Sequence, residues 1–200
     1  MTADAFSDAV LCLCALWLMR ANGRQQQAGL GLACGVIGVA AMLGVLRFSN
    51  WTAASQAVAG THQFLSLLGA VGAFPLLAYA LAYPHSPLAR RFSGAFWMMF
   101  SVGGLGLAVV LLGAKVWGQV VPVLSVLWIA HTVVRRWPGA RRWRGLLGVL
   151  ALLAGFAATL LMPRPDSLWL GWLSRMEILH YTLAAALLLL AWPVSRWHRS

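Results

Sequence analysis

The chain is 200 residues long, 61% apolar and 10% charged, with a mean hydropathy of +0.79. Soluble domains run about 45–50% apolar and about 25% charged, and so few ions cannot cover a water-soluble fold of this size, so the bilayer is the expected solvent. The net charge of +11, from 15 Lys/Arg against 4 Asp/Glu, leaves two readings: affinity for nucleic acid, or arginines that orient membrane helices.

A membrane helix needs about 20 mostly apolar residues. Seven segments qualify in chain order. They are Ala5–Met19, which is short and holds Asp8, then Ala28–Leu46, Gln63–Tyr83, Gly94–Ala114, Val116–Val134, Gly145–Met162 and Trp169–Trp192. Only Lys115 separates the fourth from the fifth, which implies a tight hairpin. No linker, low-complexity run or internal repeat interrupts the series. Residues 1–200 therefore read as one all-α, polytopic membrane domain.

Lysines and arginines between spans set the orientation. Arg20, Arg24, Arg90, Arg91, Arg135, Arg136, Arg141, Arg142, Arg144, Arg196 and Arg199 fall on one side, 11 in all. Arg47, Lys115, Arg164 and Arg175, 4 in all, fall on the other. This split places the amino terminus outside and the carboxyl terminus in the cytoplasm, and it requires an odd number of spans. A multi-pass protein of a bacterial inner membrane is the expectation. The acids Asp4, Asp8, Asp166 and Glu177 all fall toward the outer side. Trp51, Trp117, Trp169 and Trp172 sit near outer span ends, and Trp17, Trp97, Trp137, Trp143, Trp192 and Trp197 near inner ones, as an aromatic belt requires. The leading segment MTADAFSDAV is acidic, and Arg20 and Arg24 follow the apolar run, which favours an uncleaved anchor over a signal peptide.

Gly29, Gly31, Gly35 and Gly38 crowd the second span, and Gly103, Gly104 and Gly106 the fourth. Small residues at such spacing let helix backbones approach closely. Pro75 and Pro122 lie within spans and predict kinks. Cys12, Cys14 and Cys34 form no CxxC pair and no metal-ligand spacing, so they read as small apolar residues. The strip from Val133 to Gly145 interleaves Arg135, Arg136, Arg141, Arg142 and Arg144 with Trp137 and Trp143. Nucleic acid would suit those residue types. Its place between two spans decides instead for a cytoplasmic loop gripping anionic lipid, with no nucleic-acid partner.

Ionisable groups inside spans are costly and mark functional sites. Asp8, Arg47, His131, Glu177 and His180 are such groups. Glu177 and His180 are three apart in SRMEILHY and share a helical face. On the assigned topology Asp8, Arg47, Ser49, Asn50, His62, Glu177 and His180 all fall in the outer halves of spans one, two, three and seven. They form the candidate site. Several chemistries suit it. His62, Glu177 and His180 are candidate ligands for zinc, which would activate water for hydrolysis. A His–carboxylate set would also relay protons or bind a polar lipid headgroup or other small ligand. A structural arrangement, with Arg47 or Arg175 neutralising Glu177 and His180 bonded to a neighbouring helix, explains the same residues. Haem needs two axial histidines at matched depth. His62, His180 and His131 sit at different depths, although the apolar run around His180 suits a haem-binding helix. His85 and His198 fall in cytoplasmic segments.

FSDAVL opening the first span, AAMLGVLRF closing the second and MEILHYTLAAALLLL in the seventh carry a resemblance. With seven helices and an external amino terminus, the chain resembles small bacterial membrane proteins distantly allied to the alkaline-ceramidase-like superfamily. That resemblance implies a seven-helix fold and, for a full member, zinc-dependent lipid amide hydrolysis. The implied residues are a Ser and a His on helix two, an Asp on helix three and two His four apart on helix seven. Here the second span has no histidine, the third has no aspartate, and Ala184 stands four after His180. Only His180 carries over, so the resemblance implies the shared fold without the hydrolase chemistry.

Overall fold

A computed structural model describes residues 2–49, 56–161, 168–169 and 173–192. Apart from one short β pairing, the described residues are helical or in the turns between helices. The helices are α1 (Ala3–Arg24), α2 (Ala28–Phe48), α3 (Gln56–Ala82), the single turn α4 (Pro87–Arg90), α5 (Phe92–Leu111), α6 (Trp117–Arg136), α7 (Gly139–Leu161) and α8 (Arg175–Leu190). Five of these, α2, α3, α5, α6 and α7, are long and apolar enough to cross a membrane. α1 carries Asp4 and Asp8, and α8 has 16 residues, about 24 Å of rise. These two lie outside that set.

Hydrogen bonds between helix ends define two rims. At the rim where α1 starts, Thr2 Oγ1 donates to the Phe48 carbonyl at 2.7 Å, Arg47 Nη1 donates to His62 Nδ1 at 3.2 Å, and Ser174 Oγ donates to Asp4 Oδ1 at 2.9 Å. At the opposite rim Arg136 Nη1 donates to the Ala82 carbonyl at 2.6 Å, Arg90 Nη2 to Gln26 Oε1 at 3.0 Å, and Asn22 Nδ2 to the Ala191 carbonyl at 2.9 Å. The starts of α1, α3 and α8 thus share a rim with the end of α2. The ends of α1, α3, α6 and α8 share the other.

Small residues let these helices close on one another, as their spacing predicts. On α2, a Cβ at Gly38 would lie 2.9 Å from the Leu16 side chain, and one at Gly31 would lie 3.3 Å from the Met19 carbonyl. α3 and α5 touch where Gly72 meets Gly103: a Cβ on either would reach the other's Cα at 3.0 Å. Both helices contain a π-helical turn at that crossing, Gly69–Ala73 and Met99–Gly103. In α3 the π turn ends one residue before Phe74–Pro75, so it absorbs the ring that would strike the preceding turn. The hairpin expected at Lys115 is present. Gly113 turns it at φ +109°, a left-handed angle that a side chain would resist.

Leu18, Leu76, Leu77, Ile129 and Leu187 are fully buried between helices, while Phe96, Trp97, Phe100 and Leu105 of α5 and Leu150 and Leu153 of α7 are exposed. An apolar exterior of this kind fits a lipid surrounding.

Four expected boundaries move. α1 runs on to Arg24, five residues past Met19. α3 begins at Gln56, ahead of Gln63. α7 begins at Gly139, ahead of Gly145, because arginine is a strong helix former and Arg141, Arg142 and Arg144 continue the helix. The basic strip is therefore two helix ends joined at Trp137 and Pro138, not a loop. Trp137 is buried, the Arg141 guanidinium stacks 4.2 Å from its ring centroid, and Arg142 Nε donates to its carbonyl at 3.0 Å. The seventh segment begins helically at Arg175, after Trp169, because Leu168–Trp169 pairs antiparallel with Leu173–Ser174 and Ser174 then caps α8.

Candidate functional site

Asp8 and His180 come from opposite ends of the sequence to one depth. Asp8 lies five residues inside α1 and His180 five residues beyond Arg175, each about 8 Å from its helix start. α1 packs against α8, which brings Asp8 Oδ1 to 3.5 Å from His180 Nδ1. Ser7, next to Asp8, places its Oγ 3.0 Å from the same nitrogen. The Ser7 hydroxyl itself donates to the Asp4 carbonyl at 2.9 Å. All three residues are buried, Asp8 to 1% exposure, and Asp8 Oδ2 has no hydrogen-bond partner. Gly44 on α2 makes room for this carboxyl: a Cβ there would sit 2.6 Å from Asp8 Cγ.

Glu177 is committed elsewhere. Its Oε2 accepts from the Ser174 backbone N–H at 2.8 Å, while Ser174 Oγ accepts from the Glu177 N–H at 3.1 Å. This is a capping box, which satisfies two amides at the start of α8. Among the described residues no ion pair joins Glu177 to Arg47 or Arg175, so the expected neutralisation does not form. The local reason is the serine: Ser174 lies three before Glu177 and holds it to the helix end.

Arg47 and His62 form a second, more exposed pair. Arg47 Nη1 donates to His62 Nδ1, so His62 carries its proton on Nε2, which lies 3.5 Å from Ser66 Oγ. The His62 ring meets Phe48 edge-on at 5.9 Å between centroids. Ser49 Oγ donates back to the Leu46 carbonyl of its own helix at 3.1 Å. Asn50 lies outside the described residues. His131 and His85 are exposed on other elements.

A cavity of about 470 Å³ joins the two groups. Six of the seven long helices line it; α5 alone takes no part. His62, Ser66, Gln119, Thr159 and Arg175 line it together with Asp8 and His180. Leu11, Ile37, Phe74, Leu152, Phe156 and Leu183 complete its wall. Arg47, Ser49 and Glu177 are not in the lining. The site thus contains Asp8, His62 and His180 of the expected residues.

The arrangement is not a nucleophile relay. A histidine that activates a serine uses one ring nitrogen for the hydroxyl and the other for the carboxylate. Here Ser7 and Asp8 both face Nδ1. Among the described residues no three His, Cys, Asp or Glu side chains are grouped so as to hold a metal ion. Of the three zinc ligands named from sequence, Glu177 has its carboxylate in the cap.

Sequence reading missed Ser7, Asp4, Ser174 and Gly44. The SRME pattern before an apolar run is itself a capping-box signature and marks Ser174 and Glu177. Nothing local to Gly44 signals its contact with Asp8. No family model, curated protein or solved structure matches the chain.

Proposed function

We propose that the chain is a seven-span protein of a bacterial inner membrane, with its amino terminus outside, that binds a lipid headgroup or other small amphiphile in this cavity. The observation that carries the reading is the cavity itself. Its volume lies within the range of about 300–1,000 Å³ usual for small-molecule sites, and its wall is apolar with a few convergent polar groups. α1 and α8 count as the two further spans because they pack along α2 and α7 and reach both rims. The basic rim then faces the cytoplasm, where Arg135, Arg136, Arg141, Arg142 and Arg144 grip anionic lipid at about 1 kcal/mol each.

Lipid extracted from purified protein tests this. Wild-type protein should retain an amphiphile that Ala70→Trp, which fills the cavity, does not, with both eluting alike on size exclusion. Equal retention by the two proteins would overturn the reading.

A further inference from the structure

The geometry points to the kind of head group this cavity takes: a single-chain amphiphile that donates hydrogen bonds, through a hydroxyl or an ammonium, to Nε2 of His180. The inference rests on the cavity reading above and adds the chemistry of its occupant.

Ser7 has one hydroxyl proton, and it goes to the Asp4 carbonyl. Toward His180 Nδ1, Ser7 Oγ therefore acts as acceptor, so Nδ1 carries the hydrogen. Asp8 Oδ1 lies 3.5 Å from the same nitrogen, within reach of that hydrogen. A neutral imidazole holds one proton. Nε2 is thus a bare acceptor. The Nδ1 edge is turned to α1, and the opposite edge belongs to the side chain that lines the cavity, with 9% of its surface still accessible.

The neighbouring hydroxyl on α8 is not a competing donor. Thr182 Oγ1 already donates to the Ile178 carbonyl at 2.7 Å. Asp8 contributes a carboxyl group with one oxygen unpartnered. A buried acceptor is stabilised when a donor meets it, so a hydroxyl or ammonium complements this wall. A carboxylate head offers no donor and would be drawn to Arg175 at the mouth. Below His180, Leu11, Ile37, Phe74 and Leu152 provide the apolar wall that an alkyl chain requires. Phe74 lies 12 residues beyond His62, about 18 Å along α3.

The test is native mass spectrometry of the purified chain in detergent with tetradecanol, tetradecylamine and tetradecanoate. The alcohol and the amine should each form a one-to-one adduct about tenfold tighter than the carboxylate, the worth of one hydrogen bond. His180→Phe should abolish that preference. Where that variant does not fold, the wild-type protein still decides: 15N spectra of labelled histidine should show unprotonated Nε2 in His180, shifted on adding tetradecanol. Equal or tighter binding of tetradecanoate, or a proton on Nε2, overturns the inference and leaves the cavity reading intact. Absence of all three adducts overturns both.

Discussion

Ser7 and His180 meet at 3.0 Å across 173 positions of sequence, and the contact joins the first described helix to the last. It fixes which ring nitrogen carries the proton, and it does so through a residue that would otherwise pass as an ordinary small side chain on α1. Ser7→Ala should therefore leave the fold intact, because Asp8 still faces Nδ1, yet loosen the ring. The expected result is a second tautomer of His180 in 15N spectra, with thermal stability lower by about 1 kcal/mol. A single unchanged tautomer would mean that Asp8 alone sets it.

Gly44 supplies the space for the Asp8 carboxyl. Gly44→Ala forces a Cβ within 2.7 Å of Asp8 Oδ1 and should destabilise by about 1–3 kcal/mol. Gly60→Ala is the control, since nothing lies within 4 Å of a Cβ there and the helix should gain about 0.5–1 kcal/mol. Thermal melts of both variants in one detergent check the opposite signs.

Glu177 acts as a cap, and a cap needs an acceptor rather than a charge. Glu177→Gln keeps the acceptor and should change stability by less than about 0.5 kcal/mol, whereas Ser174→Ala should cost about 1 kcal/mol. A large loss in Glu177→Gln would restore the ion-pair explanation that the geometry sets aside.

The crossing of Gly72 and Gly103 holds α5 to α3. Gly103→Val should lift α5 away, since its Cβ alone would meet the Gly72 Cα at 3.0 Å. Hydrogen exchange should rise along Phe92–Leu111 and stay unchanged in α1 and α8, which do not pack on α5.

For orientation, a fluorescent protein fused after Ser200 should glow and a phosphatase fused there should be silent, as a cytoplasmic carboxyl terminus demands. The reverse pattern would exchange inside and outside and reassign the mouth of the cavity to the cytoplasm.

Hydropathy made the long helices legible because it is a local sum along the chain, and the five helices long and apolar enough to cross a membrane all fall on expected segments. Boundaries were less legible where a local rule overrode hydropathy. Arg141 and Arg144 are polar, so a hydropathy scan ends before them, yet their helix propensity carries α7 through. Ser174 stops α8 short of Trp169 by capping it. The site shows the same division. Asp8 and His180 stood out because ionisable groups in spans are rare. Ser7 and Gly44 did not, because their role arises from contacts with partners on other helices, which one chain's pattern does not encode.

Asn22 is a lone amide in the last turns of α1, 1% exposed, and its Nδ2 ties the Leu18 and Ala191 carbonyls together. Around that level Leu18, Leu77, Ile129, Val133, Leu187 and Leu190 are all buried. The vessel consequently has a floor. On the proposed binding role, a ligand passing from one face to the other would have to part this buried layer first. The proposed pocket is, in those terms, a cup rather than a conduit.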